Sequence, residues 1–155
     1  MSVHIGDQIP LASSFRSRSF PEFKGHWAVV YFFPQGNNPH CVMESRRFQS
    51  LLPEFDRLNV KAIGVSVDSE EQQKSFRSMC ALEFPVVSDA RHEISLAYGV
   101  LETQEYEGNQ VTYARRETFL INPQGQVTHH WTEVDPNVHA AEVLGQVRQV
   151  LDRSA

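Results

Sequence analysis

The stretch Ala28-Val-Val-Tyr-Phe-Phe-Pro-Gln-Gly-Asn-Asn-Pro-His-Cys-Val-Met-Glu44 decides how the chain is read. Its first six residues are apolar and β-rich without interruption, the pattern of a strand buried on both faces of a sheet. Pro34 to Pro39 is a cluster of turn formers, after which Phe48, Leu51, Leu52 and Phe55 recur at helical spacing. Pro53 is placed to kink or split that helix. With Asn38 as N-cap, Pro39 takes the first helical position and Cys41 the third. The sulfur then lies beside backbone N–H groups that have no partner inside the helix, at the positive end of its dipole. Such a place lowers a thiol pKa, and the thiolate is the form that attacks an electrophilic oxygen or sulfur. The alternative is a cysteine acting as a small core hydrophobe. Against it, loop-to-helix turns after buried strands are where α/β folds present functional groups.

Working outward, Val60 to Val67 reads as a second strand, and Ser69-Glu-Glu-Gln72 as a capping box opening a helix toward Met79. Pro85 to Asp89 is a further short strand, with Asp89 capping a helix that Gly99 closes in a left-handed conformation. Glu102 to Tyr113 reads as a loop. Thr118 to Ile121 and Gln126 to Thr132 flank the turn Asn122-Pro-Gln-Gly125 and make a hairpin. Asp135-Pro136 reads as N-cap and first residue of a last helix, whose stripe is Ala140, Val143, Leu144, Val147 and Leu151. The expectation is one α/β domain over residues 1–155, a central mixed sheet flanked by helices, with a C-terminal β-hairpin and amphipathic helix.

The 155 residues suffice for a core without disulfide staples or a structural metal. Against 14 basic residues stand 19 acidic ones, and the net charge of −5 argues against nucleic acid as a partner; the Arg16 and Arg18 pair does not change that. No apolar run is long enough to span a membrane, and the first residues lack a secretory layout, so a cytoplasmic protein is expected. Two cysteines, Cys41 and Cys80, make a secreted disulfide framework unlike this chain and leave reactive-thiol chemistry open. The seven histidines show no zinc-site spacing.

Several blocks, in order, resemble the peroxiredoxins, specifically their bacterioferritin-comigratory (PrxQ-like) branch. These are Gly6-Asp7, Phe23-Lys-Gly25, Tyr31-Phe-Phe-Pro34, Asn38-Pro-His-Cys41 with Glu44, Gly64-Val-Ser-Val-Asp68, Phe84-Pro-Val-Val-Ser-Asp89 and Arg116-Glu-Thr-Phe-Leu-Ile121. The resemblance implies a thioredoxin-like fold and a thiol-dependent peroxidase. It would reduce hydrogen peroxide and organic hydroperoxides through a sulfenic acid on Cys41, with thioredoxin or a similar dithiol as reductant, no cofactor or metal, and a monomeric state. In the family pattern Pro-x-x-x-Thr-x-x-Cys with a distant arginine, Pro34, Cys41 and Arg116 match, and Asn38 stands where the threonine would be. An arginine favours a thiolate and offers several donors without losing its proton. Family spacing selects Arg116 over Arg115, and Glu44 either orients that arginine or is an ordinary acidic residue early in a helix. His40 is expected to be a partly exposed histidine rather than a base.

The sulfenic acid must condense with a second thiol, and Cys80 is the internal candidate for a resolving cysteine. It lies about one turn later than the family arrangement, and many relatives instead carry a cysteine where this chain has Arg46. An external thiol is the alternative. Asn38 is expected to slow peroxide turnover, and a redox sensor or non-catalytic binding protein of the same fold is the competing function. A thiol–disulfide oxidoreductase is disfavoured because Glu44 stands where its second cysteine would be.

Overall fold

Strand β1 (Trp27–Phe32) is the middle of the sheet, and every residue from Ala28 to Phe32 is buried, as its unbroken apolar run requires. The computed structural model describes residues 3–10, 15 and 20–154; the Arg16 and Arg18 pair lies outside them. After β1 come α1 (Pro39–Ser50), α2 (Leu52–Arg57), β2 (Val60–Ser66), α3 (Glu70–Cys80), β3 (Val86–Ser88) and α4 (Glu93–Ala97). Then follow β4 (Leu101–Tyr106), β5 (Asn109–Ala114), β6 (Thr118–Ile121), β7 (Val127–Trp131) and α5 (His139–Ser154). The main sheet has the order β3-β2-β1-β6-β7. Parallel pairing sets Trp27 opposite Val60 and Gly64 opposite Val86, while β6 runs antiparallel to both β1 and β7.

Because side chains alternate along a strand, β1 feeds two cores. Ala28, Val30 and Phe32 join Ile63, Val65, Phe119 and Ile121 on one face, where Phe15, Phe20, Phe23, Ile94 and Tyr98 complete the packing. Val29, Tyr31 and Phe33 join Phe48, Phe55, Phe76, Val143 and Val147 on the other, and both cysteines belong to this second core. The face bearing the cysteines is therefore the one covered by α1, α3 and α5.

The sequence expectations for β1, β2, α3 and β3 hold, and the break between α1 and α2 falls just before Pro53, which has no N–H to continue the ladder. The Asn122–Gly125 turn closes with Gly125 N–H donating to the Asn122 carbonyl at 2.9 Å, Gly125 taking φ +80°.

Three boundaries differ. Glu102 to Tyr113 is not a loop: β4 and β5 pair in register as a two-stranded ribbon, from Leu101 opposite Ala114 to Tyr106 opposite Asn109. Most of its residues face water on both sides, so no apolar alternation marked it. It is held by its ladder, by the Thr103–Thr112 hydroxyl pair at 2.9 Å and by Tyr113 Oη donating to Glu102 at 2.6 Å, and it turns at Glu107 and Gly108, both at positive φ. The last helix begins regularly at His139, not at Pro136, although Asp135 serves the turn before it, accepting Asn137 N–H on Oδ1 and His139 N–H on its carbonyl. Asp89 is likewise not the immediate cap of α4; His92 is. Its carboxylate nonetheless accepts from the N–H groups of Ile94 and Ser95 at 3.0 and 2.7 Å. Among the described residues no helix is long and apolar enough to cross a membrane.

Candidate active site

Asn38 is the N-cap of α1, its Oδ1 accepting from His40 N–H at 2.8 Å, and Pro39 opens the helix. Cys41 follows on the first turn with no exposed surface and no disulfide partner. The loop ahead of it is fastened from β2 and α3. Gly36 N–H donates to Asp68 Oδ2 at 2.8 Å, Ser66 Oγ donates to the same oxygen at 2.6 Å, and Phe76 lies so close that a Cβ on Gly36 would meet its ring at 2.9 Å.

Arg116, in the connection between β5 and β6, reaches into this site. Its Nη2 donates to Cys41 Sγ at 3.2 Å and its Nη1 to Glu44 Oε1 at 2.9 Å. Glu44 is wholly buried on α1, one turn beyond Cys41, so the arginine spans sulfur and carboxylate. Arg115 points elsewhere, donating to Glu117 Oε2 and to the Gly99 carbonyl, each at 2.6 Å. Glu117 in turn meets His130 Nε2 at 2.6 Å.

Helix position was expected to lower the Cys41 pKa, and in the structure burial works against that. Burial pushes the thiol up from its ordinary value, and the backbone hydrogen bond from Gln35 and the charge and hydrogen bond of Arg116 pull against it, with Glu44 adding to the rise. Glu44 itself is pushed up to about 7 by burial, Arg116 opposing, and its Oε2 has no hydrogen-bond partner among the described residues. The arrangement is a shielded sulfur with one cation in hydrogen-bond contact, able to stabilise negative charge on sulfur and on an oxygen departing beside it.

Residues 6–130 match the family model described as the AhpC/TSA family. Peroxiredoxin Bcp of Xanthomonas campestris is 39% identical over 124 residues, covering 80% of this chain and 78% of that protein. The chain is a peroxiredoxin of the AhpC/TSA family. Among solved structures, the bacterioferritin comigratory protein of Xanthomonas campestris, described for its alkyl peroxide reduction activity, superposes with a TM-score of 0.76 at 37% identity, over 82% of this chain and 81% of that one. A PrxQ mutant from Xylella fastidiosa gives 0.86 at 30% identity over 97% and 99%. This peroxiredoxin thus has the thioredoxin-like fold of its Bcp/PrxQ relatives, and peroxiredoxins are thiol-dependent peroxidases.

Of the residues named from the sequence, the peroxiredoxin's fold brings Cys41, Glu44 and Arg116 into direct contact. Pro34 and Asn38 lie half-buried in the preceding loop and cap, and His40 is exposed. Cys80 ends α3, buried in the same core as Cys41. Two pairs were missed. Tyr31 Oη and Ser45 Oγ share a buried hydrogen bond at 2.7 Å, and the charges of both cysteines act on that tyrosine. His139, wholly buried, places Nε2 2.8 Å from Thr118 Oγ1. Burial first and the charge of Arg116 second hold its pKa down at about 4, so it is a neutral imidazole beside the site. Its signal was available: it shares a helical stripe with Val143 and Val147, where a polar residue has no reason to be unless it is paired.

Proposed function

We propose that this peroxiredoxin reduces hydrogen peroxide and organic hydroperoxides through Cys41. The Cys41 thiolate attacks one peroxide oxygen: an S–O bond forms, the O–O bond breaks, and the departing oxygen leaves as water or alcohol once protonated, with Cys41 left as a sulfenic acid. Arg116 stabilises both the thiolate and the charge on the departing oxygen, Glu44 holds the guanidinium in place, and Pro34 and Asn38 shape the approach. The observation that carries this reading is the Arg116 bridge from Cys41 Sγ to Glu44 Oε1. The alkyl peroxide reduction described for the Xanthomonas relative supports organic hydroperoxides as a substrate class.

Cys80 then attacks the Cys41 sulfur, giving an intramolecular disulfide and water, and a thioredoxin-like dithiol returns both thiols, a cycle suited to the cytoplasm. Both cysteines are free and share one core, which supports an internal resolver over an external thiol. A disulfide needs Cα atoms about 4.4–6.8 Å apart, and where the two helix-borne cysteines stand farther apart than that, one or both helices must open locally for this step.

Stopped-flow oxidation of the reduced protein and of Cys41→Ser and Cys80→Ser, with mass spectrometry of the products, tests the scheme. The expected result is fast oxidation lost only in Cys41→Ser, and an intramolecular disulfide lost in both variants. A parent protein that stops at the sulfenic acid would transfer resolution to an external thiol. A Cys41 that reacts no faster than an ordinary thiol would remove the peroxidase assignment.

A further inference from the structure

His139 is wholly buried at the first residue of α5, and one of its two ring nitrogens has no hydrogen-bond partner among the described residues. That nitrogen, Nδ1, stands 3.5 Å from Glu142 Oε1. A leucine or phenylalanine would fill the same place without stranding a polar atom, so packing alone does not account for an imidazole here. What the imidazole adds is Nε2, 2.8 Å from the Thr118 hydroxyl.

The ring is wedged between the elements that carry the two halves of the site. It meets Phe48 of α1, one turn beyond Glu44, edge-on at 6.0 Å, and Trp131 of β7 edge-on at 5.6 Å, while its hydrogen bond goes to β6. Thr118 lies two residues after Arg116. Arg116 itself is outside any strand, and its N–H and carbonyl make no backbone hydrogen bond to another described residue. Its place is therefore set by its neighbours. The Glu117 carbonyl accepts from Phe32 N–H at 2.8 Å, and the Glu117 carboxylate is held by Arg115 and His130. Thr118, whose side chain leaves the strand on the opposite face, is held by His139.

We propose that His139 is a positioning residue for the peroxidase site: through Thr118 it fixes the start of β6 against α1, and with it the reach of the Arg116 guanidinium to Cys41 Sγ. This deepens the proposed function and rests on its reading of Arg116. The side-chain hydrogen bond of His139 goes to Thr118 rather than to Cys41, Glu44 or Arg116, so it acts through the strand and not on the reacting atoms. With its pKa held down at about 4 by burial and then by Arg116, it is neutral at pH 7 and brings no second cation to the sulfur.

The test uses three substitutions in the full chain. His139→Phe keeps a ring in the wedge and removes the hydrogen bond. Thr118→Val removes the same bond from the other side with a side chain of similar shape that suits a strand. His139→Gln returns an amide that can bond the Thr118 hydroxyl. Stopped-flow oxidation of Cys41 by hydrogen peroxide is measured where urea unfolding shows each variant folded. His139→Phe is expected to slow oxidation about tenfold, short of the ~10²-fold that a misplacement of an ångström costs, and His139→Gln to recover most of the rate. Thr118→Val loses a similar factor, and the double variant no more than either single one, because the same bond is removed. In an Arg116→Met background, His139→Phe adds no further loss. Where His139→Phe does not fold, Thr118→Val decides alone. A role confined to stability would lower the urea midpoint and leave the oxidation rate of the folded protein unchanged. That result, with Arg116→Met slow, overturns this proposal alone, as does a His139→Phe loss that persists in full without the arginine. Oxidation at the parent rate in Arg116→Met overturns it together with the reading of Arg116.

Discussion

Replacing Arg116 by methionine removes the guanidinium while keeping an unbranched chain. Two contacts disappear together: Nη2 to Cys41 Sγ at 3.2 Å and Nη1 to Glu44 Oε1 at 2.9 Å. Losing one preorganised donor where charge develops costs about 10²–10³ in rate, or about 2.7–4 kcal/mol of transition-state stabilisation. The thiol also loses both Arg116 attractions that oppose burial, so the rate reaches its plateau at higher pH. Stability behaves differently. Removing one partner of a buried ion pair costs about 3–5 kcal/mol when the other charge is stranded, but Glu44, already pushed up to about 7, can keep its proton instead. Its folded pKa lies above its unfolded one, so its contribution is present at low pH and is lost as pH rises through the folded value. In the variant that value is higher still, and the loss continues past pH 7 at about 1.4 kcal/mol per unit. Arg116→Met should therefore be more destabilising at pH 8 than at pH 6. Stopped-flow oxidation across pH and urea unfolding at those two values measure both effects. A folded variant oxidising within about threefold of the parent at pH 7 would refute the role given to Arg116. Equal destabilisation at both pH values would refute the account of Glu44.

Glu44→Gln should flatten the pH dependence of stability. The parent is expected to lose on the order of 3 kcal/mol from this group as pH rises from the ordinary glutamate value of 4.5 to about 7, and the glutamine variant should show no such fall in urea unfolding. Tyr31→Phe leaves Ser45 Oγ buried without its 2.7 Å partner and should cost about 1–3 kcal/mol, part of which Ser45→Ala recovers in the double variant; an additive double variant would dismiss the pair. Asn38→Thr should raise the peroxide rate while stability stays within about 1 kcal/mol, because threonine also caps a helix; an unchanged rate would mean that Asn38 does not limit the site.

What the sequence revealed follows from where each residue's environment is set. Ala28 to Phe33 was legible because burial on both faces leaves an unbroken apolar run, and Asn38-Pro39 because cap and first-turn chemistry is local. The β4–β5 ribbon was hidden because strands wet on both faces carry no apolar alternation. Arg116 could be told from Arg115 only by resemblance, since the two have the same chemistry and their opposite destinations, Cys41 and Glu117, are fixed by tertiary contacts. The burial of Cys41 was hidden for a similar reason. Helix position is a sequence property, whereas the burial that opposes it is assembled from β1, α1 and α3.

The two ends of α3 are fastened unequally. At the start, the Ser69–Gln72 capping box is complete, and Gln73 ties the first turn to Ser66 and to the Val87 carbonyl. At the other end the chain leaves through Ala81 at φ 52°, a left-handed geometry in which a Cβ costs about 1–2 kcal/mol relative to glycine. That end is held by Leu82 N–H and Arg77 Nε, each donating to the other residue's carbonyl, and by Gln49 on Glu83, so the helix has a stop built into its start and a clasp borrowed from α1 just past its end. Were α3 to open from its Cys80 end, Asp68, just outside the stop, would keep its grip on the Gly36 backbone and on the loop that presents Cys41.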